Sequence, residues 1–164
     1  MELDHLMDLY LDELKDVYNA EQQILRALPK MASKATHKEL RAAFEDHQVM
    51  TQEQVKRLDV IFDSLQQSPA GKKCKGMEGL LEEGEEMMEE KVDPDVLDAA
   101  MISAAQRVEH YEIAAYGTLR TYAAQLGLKD HAQLLQQTLD EEGSTDKLLT
   151  KIAERRVNRD AEVK

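Results

Sequence analysis

Apolar side chains recur every three or four residues along most of this chain. From Leu3, the positions Met7, Tyr10, Leu14, Val17, Ile24, Leu28 and Met31 keep to one line, with Glu21 its only polar member. That rhythm is helical and predicts a first helix over residues 2–32. Thr36, three residues before Glu39, reads as a capping box opening a second helix over 36–67. Its inner face carries Leu40, Phe44, His47, Thr51, Gln54, Leu58, Ile61 and Leu65. Pro69, Gly71 and Gly76 then break the pattern ahead of a short amphipathic stretch at 77–90. Asp93 and Pro94 supply an N-cap and an N1 proline for a helix over 94–126 that Gly127 closes. A last helix over 130–156 presents Leu135, Leu139, Glu142, Asp146, Leu149 and Ala153. Residues 157–164 are polar and predicted to fray. The whole of 1–164 reads as one domain.

Short links join the first two long helices and the last two, so each pair forms an antiparallel hairpin. The connection between the hairpins is much longer. A helix over 77–90 covers about 21 Å and its flanks extend the reach to the length of a bundle, about 45 Å. Such a crossover makes the second and third long helices parallel. The prediction is an all-α, ferritin-like four-helix bundle with one long crossover carrying a short fifth helix. An unrelated insertion would also lengthen that segment.

Seven Gly and three Pro in 164 residues suit helices throughout. With 33 acidic against 21 basic residues the net charge is −12, which repels phosphate backbones, so no nucleic-acid partner is expected. The opening MELDHLMDLYLDELKD is charged throughout and later apolar runs are short; the sequence predicts no secretion signal, no membrane span and a cytoplasmic location. Cys74 is the single cysteine, which rules out an internal disulfide and a Cys/His zinc pattern. Lys72, Lys73 and Lys75 surround it with positive charge that favours thiolate. It reads as a redox sensor or as an ordinary loop cysteine.

The chemistry lies where the inner faces are interrupted: Glu21 on the first helix, His47 on the second with Thr51 and Gln54, Glu109 and Glu112 on the third, Glu142 and Asp146 on the last. All are central in their helices, and a bundle brings them to one level. Five carboxylates there repel one another and lose hydration, so they cannot all stay ionised without cations. No Lys or Arg occupies an inner position at that level. Carboxylate oxygens with one imidazole suit iron or manganese, and bundle cores are where di-iron carboxylate sites are built. A chain this acidic also places carboxylates at helix edges where they are merely solvated. Tyr18 and Tyr111 read as ordinary core or as hydrogen-bond partners of ligands, and His110 and His131 as surface residues.

The stretches YNAEQQILRALPKMA, FEDHQVMTQEQVKRLD, KCKGMEGLLEE, DAAMISAAQRVEHYEIAAYGTLRTYAAQLG and LLQQTLDEEGSTDKL together resemble the YciF-like (YciE/YciF) bacterial stress proteins of the ferritin-like superfamily. The resemblance spans nearly the whole chain. It implies a ferritin-like bundle, a homodimer, a dinuclear metal site of two iron ions or manganese, and a role in stress. Glu21, His47, Glu109, Glu112, Glu142 and Asp146 match family positions and are the metal ligands it implies. The pair Glu109 and Glu112 also resembles the arrangement in rubrerythrin-type peroxidases. One position departs: Met50 stands where the family pattern has glutamate, so incomplete occupancy is expected. Two functions follow. One is a di-iron oxidoreductase, ferroxidase or peroxidase-like, that oxidises ferrous iron with dioxygen or peroxide. The other is a non-catalytic dimeric scaffold or partner-binding stress protein with partial or no metal.

Overall fold

The computed structural model describes residues 3–163; Met1, Glu2 and Lys164, at the outer limits of the predicted first helix and tail, lie outside the described residues. The elements are α1 (Leu6–Lys34), α2 (Lys38–Leu65), α3 (Lys75–Glu89), α4 (Pro94–Gln125) and α5 (Lys129–Ile152). α5 runs on through a π-helical turn, Ala153–Val157, into α6 (Asn158–Glu162). Among the described residues there is no strand. The tail expected to fray is therefore helical through Glu162. Val157 is the cause: it is 2 % exposed and packs in one apolar cluster with Met101, Ile102 and Ile152. A single apolar anchor in a polar segment leaves no periodic signal.

Helix order and direction follow from what each helix buries. Tyr10 and Leu14, early in α1, share a cluster with Leu58 and Ile61 late in α2, Leu119 and Ala123 late in α4, and Leu135 early in α5. Leu28 and Met31, late in α1, share the other cluster with Leu40 and Phe44, Met101 and Ala105, and Leu149. α1 and α5 thus run one way, α2 and α4 the other. α1 packs against α2 and α4, and α5 against the same two. The crossover carries α3, which lies against α1 and α4. Its approach to α4 depends on Gly76: a Cβ there would sit 2.7 Å from the Tyr111 ring. Gly127, at φ 75°, takes the left-handed turn that ends α4 and favours glycine.

The turn between α1 and α2 is held from outside. Thr36 and Glu39 do not form a capping box, because α2 begins at Lys38 with His37 as its N-cap. The buried Asp98 of α4 accepts instead from Thr36 N (3.0 Å), Thr36 Oγ1 (2.6 Å) and His37 N (2.8 Å). Arg41 Nη2 donates to Ala35 O at 2.8 Å. Asp98 is thus a cap supplied in three dimensions. Asp98→Ala leaves two backbone N–H groups and a hydroxyl without their acceptor and is expected to cost about 2–3 kcal/mol. For a chain of this length that is a fall of roughly 5–10 °C in melting temperature by scanning calorimetry.

Candidate metal centre

A polar layer separates the two apolar clusters. It holds Glu21 from α1, His47, Thr51 and Gln54 from α2, Glu109 and Glu112 from α4, and Glu142 from α5, all buried. Helical periodicity explains the placement. Each is three or four residues from an apolar core position on the same helix: Glu21 between Val17 and Ile24, His47 after Phe44, Glu112 before Tyr116, Glu142 after Leu139.

His47, Glu109, Glu112 and Glu142 each offer a ligand atom, and these four atoms lie within 4.8 Å of one another. His47 Nε2 is 3.3 Å from Glu109 Oε1 and 3.8 Å from Glu142 Oε2, yet neither of its ring nitrogens has a hydrogen-bond partner. Both oxygens of Glu112, Oε2 of Glu109, Oε2 of Glu142 and Oε2 of Glu21 are also buried without one. Orphaned carboxylate oxygens in such number are unusual, because buried polar groups ordinarily find partners.

The electrostatics carry the same mark. Burial, and then the charge of Glu142, push the Glu21 carboxyl up to about 8. Burial holds Glu109 and Glu112 well above the ordinary carboxylate range, with Glu142 again adding to it. Burial pushes the His47 imidazole down, against the opposing pull of Glu142. Without a cation, Glu21, Glu109 and Glu112 keep their protons and His47 takes none. These are the states in which buried groups so close together repel least.

Partners outside the group aim its members. Tyr116 is fully buried and donates to Glu21 Oε1. Gln54 Nε2 donates to Glu142 Oε1 and, at 3.1 Å, to Glu141 Oε2. Arg57 grips Glu141 with two nitrogens at 2.7 and 2.6 Å, pairing the charge of this partly exposed acid. Nothing in the spacing distinguishes Tyr116 from its apolar neighbours. Only the buried carboxylate opposite gives it a task.

Asp146 is not brought into the group. Four residues beyond Glu142, it has turned about 40° further around the helix. Its side chain is 21 % exposed, 3.3 Å from His110 Nε2 and accepting from Gln106 Nε2 at 3.1 Å. His110 is at the surface as expected, but His131 is buried between Tyr10 Oη (3.1 Å) and Ser64 Oγ (2.7 Å), with both nitrogens satisfied. Tyr18 packs edge-on against Phe62. Met50 is half-buried, its sulfur 3.9 Å from Thr145 Oγ1 between α2 and α5.

Cys74 departs most from expectation. Lys72 pairs with Asp12 and Lys73 with Glu78, while the thiol is wholly buried as the N-cap of α3, accepting from Met77 N. It lies 3.0 Å from Tyr111 Oη, which donates to Asp16 Oδ2. Burial and Asp16 push the thiol up, the opposite of the thiolate that three neighbouring lysines suggested. Ellman's reagent at neutral pH is expected to leave Cys74 untouched in the folded protein and to titrate it fully in denaturant; rapid labelling of native protein would contradict this placement.

Comparison with known proteins adds the relatives. Residues 5–162 match the family described as Domain of unknown function (DUF892). Over 165 residues the chain is 44 % identical to protein YciF of Escherichia coli (strain K12), covering 100 % of this chain and 99 % of that protein. The crystal structure of the E. coli stress protein YciF superposes with a TM-score of 0.91 at 44 % identity, covering 94 % of this chain and 98 % of that one. YcfI of Rhodopseudomonas palustris, described as a structural protein, gives a TM-score of 0.88 at 44 % identity, covering 91 % and 95 %. A protein from Xanthomonas campestris pv. campestris shares the fold with a TM-score of 0.76 at 21 % identity, covering 96 % and 97 %.

Proposed function

The chain belongs to the YciF family, the one also defined as DUF892, and from that premise we propose that it is a ferritin-like stress protein whose bundle core holds a dinuclear iron or manganese centre and oxidises ferrous iron. One observation carries the reading: His47, Glu109, Glu112 and Glu142 converge in a dry core with their inner oxygens and both imidazole nitrogens unpartnered. Hard oxygen donors with one imidazole suit these two metals. Glu21 belongs to the set through its free Oε2; Asp146, engaged by Gln106 and His110, does not.

The residues have separable tasks. His47, held neutral by burial, offers a ready nitrogen. Glu109 and Glu112 release their protons when a cation replaces them. Gln54 fixes the rotamer of Glu142 and Tyr116 that of Glu21, as partners behind a ligand do in metal sites generally. The apolar clusters on either side exclude water. Loaded with iron, the group would supply one-electron redox chemistry toward dioxygen or peroxide. Met50 leaves α2 one carboxylate short, so the two metal positions differ, one tight and one weak. The likeness to the YciF-like proteins extends the proposal to a homodimer working in the cytoplasm.

A second reading is a non-catalytic scaffold, favoured by the description of the R. palustris relative as structural. Metal analysis of aerobically purified protein, then stopped-flow oxidation of added ferrous ion, separates the two. Near-stoichiometric metal and oxidation faster than in buffer support the centre. Metal-free protein that leaves the ferrous oxidation rate unchanged supports the scaffold.

A further inference from the structure

Two neighbouring spaces lie between the surface and one side of the polar layer. Between α1, α3 and α4 lies a groove of about 260 Å³ whose walls include Ala27, Met31, Leu81 and Val108. The same four residues also line an inner cavity of about 20 Å³, which ends at His47 and Glu109. The two spaces therefore adjoin across one set of side chains. Leu81, from the crossover helix, stands at the junction. The rest of the inner wall includes hydrocarbon from Ile24, Leu28, Phe44 and Leu149 together with the polar His47, Glu109 and Thr145. At the outer mouth Lys30 pairs with Glu85 at 2.6 Å, both well exposed, and such a pair opposes opening only weakly.

We propose that this passage admits dioxygen, as an apolar diatomic, to the His47–Glu109 side of the centre. The inference rests on the oxidase reading above and narrows its oxidant. An inner volume of this size holds about one small molecule, and the hydrocarbon part of its wall offers water no hydrogen bonds. Hydrogen peroxide passing the hydrocarbon side chains would give up hydrogen bonds of both hydroxyls before it met His47 or Glu109, and superoxide would give up the hydration of a charge. Dioxygen has no such bonds to lose. The crossover thus acquires a role that its contribution to connectivity does not require: through Leu81 it supplies part of the wall common to both spaces.

Dissolved dioxygen is paramagnetic and relaxes the methyl groups it visits, so the test can be run on metal-free protein. The methyls of Ile24, Leu28 and Leu149 are expected to relax several-fold more under dioxygen pressure than those of Leu14, Ile61 and Leu119, which are as deeply buried in the other cluster. Equal relaxation in the two sets overturns the passage. Leu81→Trp fills the junction, and Leu81→Met controls for tolerance at that position. The tryptophan variant is expected to abolish the excess relaxation and, with metal stoichiometry unchanged, to slow dioxygen-driven ferrous oxidation several-fold while sparing the methionine variant. Unchanged oxidation in a folded tryptophan variant also overturns it. If wild-type protein oxidises no ferrous ion, the oxidase reading fails on that result, whereas the relaxation contrast decides the passage by itself.

Discussion

Replacing Glu109 and Glu112 together with glutamine is expected to abolish tight metal binding and to yield a metal-free protein more stable than wild-type protein stripped of its metal. Both carboxyls are buried, and burial with Glu142 nearby holds them well above the ordinary range. A carboxyl that folding forces to stay protonated at pH 7 costs about 3 kcal/mol against an unfolded chain in which it ionises freely. Glutamine has nearly the same shape and escapes that cost. Its amide protons also have acceptors waiting in the unpartnered Oε2 atoms of Glu21 and Glu142. Two such replacements should raise the melting temperature of the metal-free protein by on the order of 10 °C. Calorimetry in chelator reads the stability and plasma emission spectroscopy the metal. A double variant that retains its metal, or melts well below stripped wild type, contradicts the role given to these residues.

The same carboxyls set the pH dependence of the metal-free protein. Glu21 is pushed up to about 8, and Glu109 and Glu112 well above their ordinary value. Between the ordinary glutamate range, near pH 4.5, and these raised values, the folded state binds more protons than the unfolded one, so stability falls as pH rises. The contribution is complete below the unfolded value and is lost as pH climbs through about 8 for Glu21. His47 acts in the other direction, since its lowered value removes stability as pH falls below the ordinary imidazole range, but it is one group against three. Metal-free protein is therefore expected to melt at progressively lower temperature from pH 5.5 to 9. Excess Mn²⁺ should flatten or reverse that trend, because its ligands must lose protons to bind. A metal-free melting temperature that rises across the interval would contradict the protonated cluster.

What the sequence reveals here follows from where periodicity carries information. The long helices are legible because an amphipathic stripe repeats over many turns, and Glu21, His47, Glu109, Glu112 and Glu142 stand out as polar interruptions of it. Residues that belong to the stripe by pattern and to the centre by contact remain hidden. Tyr116 is the example, since an aromatic at a core position gives no sign that its hydroxyl meets a buried acid. Asp98 is hidden for a related reason: its partners lie on another hairpin, sixty residues away in sequence. Asp146 errs in the opposite sense, drawn onto the stripe by a spacing of four that the helix resolves as an outward turn. Local charge misleads most at Cys74, where Lys72 and Lys73 pair with acids and the thiol is buried.

Metal held by the buried His47, Glu109, Glu112 and Glu142, with Glu21 beside them, would be visible by diffraction. Crystals grown from metal-free protein, soaked in Mn²⁺ and measured on either side of the manganese absorption edge, test for it most directly. Anomalous density is expected between the carboxylates and His47 Nε2, a strong peak accompanied by a weaker one. Anomalous density only at an outer site such as His110 and Asp146, with the four inner side chains undisturbed and no peak among them, would contradict it.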